Sequence, residues 1–235
     1  MPLLALDTAT LVSSVALASR DRLLAELTLQ VSKTHSERLM PNIEELLAMA
    51  GLGRHELEAV AVSIGPGSFT GLRIGLATAK ALAYALNIPL VGVPTLAALA
   101  YGCPVPGALL APTMDAQKGN IYFALYRWQN GALAEIAPPG FRASEAVAGE
   151  LAASGEPVLI LGEAVELYPD IFQRPGLSLA PAHIAMPRAA SVAFLGFDLL
   201  AAGVRHDVMA LEPLYIRRSE AEELWEKRHS ECRPS

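Results

Sequence analysis

Cysteine is nearly absent: the chain of 235 residues has two, Cys103 and Cys232, neither with a second Cys or a His at ligand spacing. That excludes a disulfide framework and a Cys/His zinc site, and it points to a reducing cytoplasm. Aromatic residues make up 6% and charged residues 18%. Long apolar runs are missing as well. Mean hydropathy is +0.35, yet Pro, Gly or charge interrupts the apolar stretches well short of the roughly 18–20 residues a membrane helix needs, so no membrane role is expected. The first residues carry no basic region and reach an acid at Asp7, which reads as a first strand and not a signal peptide. Basic excess is lacking too. Net charge is −6, and the basic residues are scattered apart from Arg217-Arg218 and 226–228. A protein that grips a phosphate backbone on its own shows a basic face, so autonomous nucleic-acid binding is disfavoured. The five histidines stand too far apart in sequence for a His-x-x-x-His metal pair.

What is present is core-forming residue, 52% of the chain. Apolar runs and alternation predict strands over 3–8, 13–18 and 23–31. A helix follows over 36–50, with Thr34 or Ser36 as N-cap candidates. Strand 59–64 runs into Gly65-Pro66-Gly67-Ser68-Phe69-Thr70-Gly71, then a long helix over 72–86 closed by Asn87 and Pro89. Strand 90–93 and a short helix to Tyr101 complete the first half. The second half repeats the order: strands over 108–114 and 120–128, an Asn130-Gly131 hairpin, a strand over 132–137, a helix over 144–154, a strand over 158–161 and a helix over 189–202. A mixed-charge helix is expected over 220–228. The joint falls at Pro104-Val105-Pro106-Gly107, giving an N-terminal lobe of residues 1–103 and a C-terminal lobe of 104–235. Two tandem βββαβα units suggest the two-lobed actin-like (acetate kinase, Hsp70, hexokinase) α/β architecture, an inference about fold and not activity.

The chemistry-bearing candidates are few. Gly65 to Gly71 lies between a strand and a helix N-terminus, where backbone N–H groups can receive an anion. It is neither a Walker A loop nor G-x-G-x-x-G, and a tight turn that needs glycine accounts for it equally. Asp7 and Asp115 each end a strand; facing one cleft they could hold Mg²⁺, and as turn acids they would do nothing. Asp7, Gly65, Gly67 and Asp115 are therefore the candidates for weak nucleotide contact, with no cofactor required. Ser68 misses the nucleophile elbow by position. No catalytic or metal-binding residue is assigned, which leaves a peptidase without a nucleophile–base or metal pair.

The helices over 36–50 and 72–86 carry more apolar surface than one sheet face needs. Leu39, Met40, Ile43, Leu46, Leu47 and Ile74, with the small-residue stripe of Gly71, Gly75 and Ala79, are therefore expected to form a partner surface.

Asp7-Thr8-Ala9-Thr10, residues 33–41, and Gly65 to Gly75 resemble the TsaB (YeaZ) family, and so do 79–83, Met114-Asp115-Ala116 and 213–217. The resemblance spans most of the chain and is closest in the first 100 residues. It implies a non-catalytic subunit of the machinery that forms N6-threonylcarbamoyladenosine beside the anticodon of tRNAs reading ANN codons. The expected partners are a TsaD-type catalytic subunit and a TsaE-type ATPase. A homodimer is expected when the chain is alone, and tRNA contact only through the complex. In the paralogue TsaD a His-x-x-x-His metal pair follows the long helix and strand; here Thr95 and Leu99 stand at those positions, and neither can ligate a metal as imidazole does. The alternative function is an active phosphotransferase of the same fold.

Overall fold

A computed structural model describes residues 1–30 and 35–216. The N-cap candidate Thr34, the side chain of Ser36, Cys232 and the helix expected over 220–228 lie outside the described residues.

The first half contains β1 (Leu3–Asp7), β2 (Val12–Ser19), β3 (Arg22–Gln30), α1 (His35–Ala50), β4 (Ala59–Gly65), α2 (Phe69–Leu86), β5 (Leu90–Pro94) and α3 (Thr95–Tyr101). The second contains β6 (Leu109–Asp115), β7 (Asn120–Gln129), β8 (Ala132–Ala143), α4 (Ser144–Ala153), β9 (Val158–Gly162), α5 (Ala164–Leu167), α6 (Pro169–Phe172), β10 (Leu177–Leu179), α7 (Ala182–Ala185) and α8 (Ala189–Ala201). The sheets are ordered β3-β2-β1-β4-β5 and β10-β9-β6-β7-β8. Read outward from β1 and β6 they are one topology used twice, with an antiparallel pair on one side and a parallel pair on the other.

Alternation along the strands divides large from small side chains. Leu4, Leu6, Val15, Leu17, Val60 and Val62 face α1 and α2. Leu3, Ala5, Ala16, Ala18, Ala59 and Ala61 face α8 on the other side. An alanine-rich face lets a helix come close: a Cβ added at Gly196 of α8 would lie 2.9 Å from the Cβ of Ala61. α3 packs over the second sheet, with Leu96, Leu99 and Ala100 among Leu110, Met114, Ala124 and Leu161. The two lobes thus exchange helices, and α8, sequentially in residues 104–235, completes the core of the first. Arg188 pairs with the nearly buried Glu26 of β3, and Glu26 Oε1 also accepts the Ala190 N–H at 3.0 Å. Ser14 Oγ of β2 accepts the Ala189 N–H at 2.9 Å. Two first-lobe strands therefore supply the capping acceptors of α8.

Among the described residues the predicted elements recur, with an added 3-10 turn at Arg54–Glu56 and two larger differences. β8 continues to Ala143, because Pro138-Pro139 sit in a bulge opposite Ala124, where a missing N–H breaks no ladder bond. Residues 164–185, given no elements above, form α5, α6, β10 and α7, pieces of three or four residues that are too short to show a period.

Candidate functional site

β1 ends at Asp7 and β6 at Asp115, at equivalent places of the duplicated topology, as the spacing predicts. Asp7 is fully buried. Its Oδ1 accepts the Ala9 N–H at 3.0 Å, and its Oδ2 has no hydrogen-bond partner among the described residues. Burial, only partly offset by the Ala9 amide and the nearby Ser63 hydroxyl, pushes its pKa up to about 6. Asp115 Oδ1 accepts from the Tyr168 hydroxyl at 2.9 Å and the Gln117 N–H at 3.0 Å. A third acid was not foreseen from the sequence. Glu163 accepts the Asp115 N–H at 3.2 Å, and burial, reinforced by the negative charges of Asp115, Glu166 and Asp7, pushes its pKa up. Internal symmetry is the signal that locates it. Glu163 follows Gly162 at the end of β9 as Pro66 follows Gly65 at the end of β4; both glycines have positive φ, 93° and 118°. A cleft of about 150 Å³ opens beside Glu163, the third of these acids. Thr10, Leu11, Gln30, Glu163, Glu166 and Met186 are among its lining residues, and no Lys or Arg of the described residues is.

The glycine loop is closed on itself. Ser68 N–H donates to the Ala9 carbonyl at 2.7 Å, and Ser68 Oγ accepts the Gly71 N–H at 3.2 Å, capping α2. Thr8 Oγ1 donates to the Gly71 carbonyl at 2.8 Å. A Cβ at Gly67 would run into the Ala9 carbonyl, and one at Gly71 or Gly75 into Thr8. Gly65 donates its N–H to Thr95 Oγ1 at 3.0 Å. Of the two readings left open, these contacts match the tight turn: the loop glycines admit the β1–β2 turn against α2. The amides of Gly65, Ser68 and Gly71 are thus engaged within the chain, and the cleft is lined by two acids, Glu163 and Glu166. Among the described residues no three His, Cys, Asp or Glu side chains are placed to hold a metal ion.

Thr95 and Leu99 carry out other tasks. Thr95, wholly buried, accepts the Gly65 N–H; Leu99 packs in the core between the lobes.

The expected partner surface needs correction. Leu39, Ile43 and Leu46 are each 1% exposed and Leu47 is 8% exposed, all against the first sheet, and Gly71, Gly75 and Ala79 are buried. Helical spacing shows that a face is apolar and not what covers it; here the sheet does. Of the nine residues, Met40 is exposed and Ile74 half-buried. The outward face of α2 instead carries Phe69, Arg73, Ala77, Ala81 and Tyr84, three or four residues apart.

Two five-stranded sheets of one topology, with helices exchanged between lobes and paired acids at the strand ends, define a two-lobed protein of the actin-like class. The ROK hexokinase of Thermus thermophilus shares that fold, at TM-score 0.50 and 13% identity over 86% of this chain and all of that one. The family model TsaD, tRNA N6-adenosine threonylcarbamoyltransferase, matches residues 28–225. The tRNA threonylcarbamoyladenosine biosynthesis protein TsaB of Bacillus subtilis is 35% identical over 96% of this chain and 98% of its own. That of Escherichia coli is 32% identical over 97% and 98%. A Pseudomonas aeruginosa crystal structure, described as an uncharacterized protein with similarity to peptidase YeaZ, superposes at TM-score 0.81. It is 30% identical and covers 92% of this chain and 99% of that one. The chain belongs to the TsaB (YeaZ) family. Among the described residues no helix is long and apolar enough to cross a membrane.

Proposed function

We propose that this protein is a non-catalytic subunit in the biosynthesis of tRNA threonylcarbamoyladenosine, the process for which its Bacillus and Escherichia relatives are named. In this reading it binds and supports a TsaD-type catalytic subunit, with a TsaE-type ATPase joining, requires no cofactor and meets tRNA through the complex. One observation carries the reading: the two positions where TsaD has its imidazole pair are held here by Thr95, an acceptor for the Gly65 amide, and Leu99, a core residue. Both are spent on packing. The engaged amides of the glycine loop support the same view.

The partner face is the outward side of α1 and α2, around Met40, Ile74 and Ala77. Alone, the chain pairs with a second copy through this face, so homodimer and heterodimer compete. A specific contact there buries on the order of 800 Å² per partner. Light scattering during size exclusion, on the chain alone and mixed with the TsaD-type subunit, tests this. The expected result is a dimer alone that exchanges into a one-to-one complex, and an Ala77→Arg variant that stays folded but associates far more weakly. No complex at micromolar concentrations, or wild-type association of Ala77→Arg, overturns it.

A further inference from the structure

Arg73 stands near the start of α2, exposed, yet its side chain is held. Its guanidinium carbon lies 3.7 Å from the Phe69 ring centroid and 6.0 Å from that of Tyr215. Its Nε donates to the Tyr215 hydroxyl at 3.0 Å. The two rings stack on each other, centroids 5.3 Å apart and planes 30° apart. Tyr215 is tethered in turn, because the Leu214 N–H donates to the Ile64 carbonyl at 2.7 Å. Phe69 is still 40% exposed and Tyr215 42%.

An exposed arginine ordinarily gives up rotamer freedom when it forms an ion pair, which is why such pairs contribute little. Cation–π contact and the Nε hydrogen bond have already fixed this one. Among the described residues Nη1 and Nη2 have no acceptor, and these two nitrogens form the fork that matches a carboxylate in two parallel hydrogen bonds. Seven residues on along α2, Lys80 Nζ donates to the Met209 carbonyl at 3.0 Å. Met209 and Tyr84, 78% and 73% exposed, add apolar surface. Arginine, aromatics and methionine together are the composition of protein interfaces. A nucleic acid fits less well: the rings stack on each other and on the guanidinium instead of offering free faces to bases, and the chain carries a net charge of −6.

We infer that Arg73, preorganised by Phe69 and Tyr215, is the anchor that receives a carboxylate side chain of the partner subunit on this face of α2. The inference rests on the proposed TsaD-type partner and adds the residue that selects it.

Calorimetric titration of the full chain with the TsaD-type subunit, for wild type, Arg73→Gln, Arg73→Lys and Tyr215→Phe, tests it. Arg73→Gln is expected to weaken binding by about tenfold or more. Arg73→Lys should recover little, because a point charge lacks the fork. Tyr215→Phe, which keeps the ring and removes the Nε acceptor, should lose less than Arg73→Gln. Thermal midpoints should move only slightly, as the loss of exposed intrachain contacts requires. Wild-type binding by Arg73→Lys or Arg73→Gln overturns the anchor while leaving the partner reading intact. Absence of binding by the wild type sinks both. A markedly lowered midpoint with unchanged binding places the acceptor within the chain and overturns the inference. So does retention of tRNA by the wild-type chain alone that Arg73→Gln abolishes, which assigns the cluster to nucleic acid.

Discussion

Gly71 and Asp7 show how much single residues decide here. Gly71 admits the Thr8 carbonyl against the first turn of α2, and an added methyl meets backbone that cannot rotate away. Gly71→Ala should therefore cost about 1–3 kcal/mol of stability, read by urea unfolding, whereas the same change at an exposed helical site would be favourable. Asp7 makes a pH prediction. Its folded pKa of about 6 lies above the unfolded value of 3.8. The folded state therefore binds the proton more tightly, and the stability this contributes is full below about pH 4 and lost as pH rises through 6. The difference is at most about 3 kcal/mol. Asp7→Asn keeps an oxygen for the Ala9 amide and removes the buried charge. It should be more stable than wild type at pH 7 and should flatten the dependence between pH 4 and 7. A parallel wild-type and variant profile would contradict this; Glu163, shifted in the same direction, will leave a residual slope.

Among the elements, strands and long helices were legible because period and punctuation agreed. Asn87, at φ 53°, closes α2, and Asn130 and Gly131, both at positive φ, form the β7–β8 turn. What covered the helices was not legible. Leu39, Ile43 and Leu46 have the spacing of a partner face and of a core face alike, and only the sheet beneath them decides. Glu163 and the Arg73 cluster escaped for a related reason: their partners lie 48 and 142 residues away. The capping of α8 was hidden in the same way. Glu26 reads as a polar position on an edge strand, yet it holds a helix 162 residues on. Glu26→Ala should destabilise the protein by about 1–3 kcal/mol. Hydrogen exchange should localise the loss to the amides of residues 189–192. Unchanged protection there would show that the cap contributes nothing.

At the scale of the molecule, the exchange of α3 and α8 makes the lobes interdependent. A division of the chain at 103/104 leaves the first sheet without α8, with Leu3, Ala5, Val91 and Val93 uncovered. Residues 1–103 expressed alone should fail to fold or aggregate, and the intact chain should unfold in one calorimetric transition. Two transitions, or a folded 1–103 fragment, would contradict the exchange as a source of stability. The central claim, a subunit needed for a reaction it does not catalyse, is tested most directly by reconstitution. Unmodified tRNA is incubated with the threonylcarbamoyl donor, the TsaD-type and TsaE-type proteins and ATP, with and without this chain, and its nucleosides are analysed by mass spectrometry. The account predicts N6-threonylcarbamoyladenosine when the chain accompanies its partners and none from the chain alone. Modified nucleoside from the chain alone, or undiminished yield without it, would contradict the account.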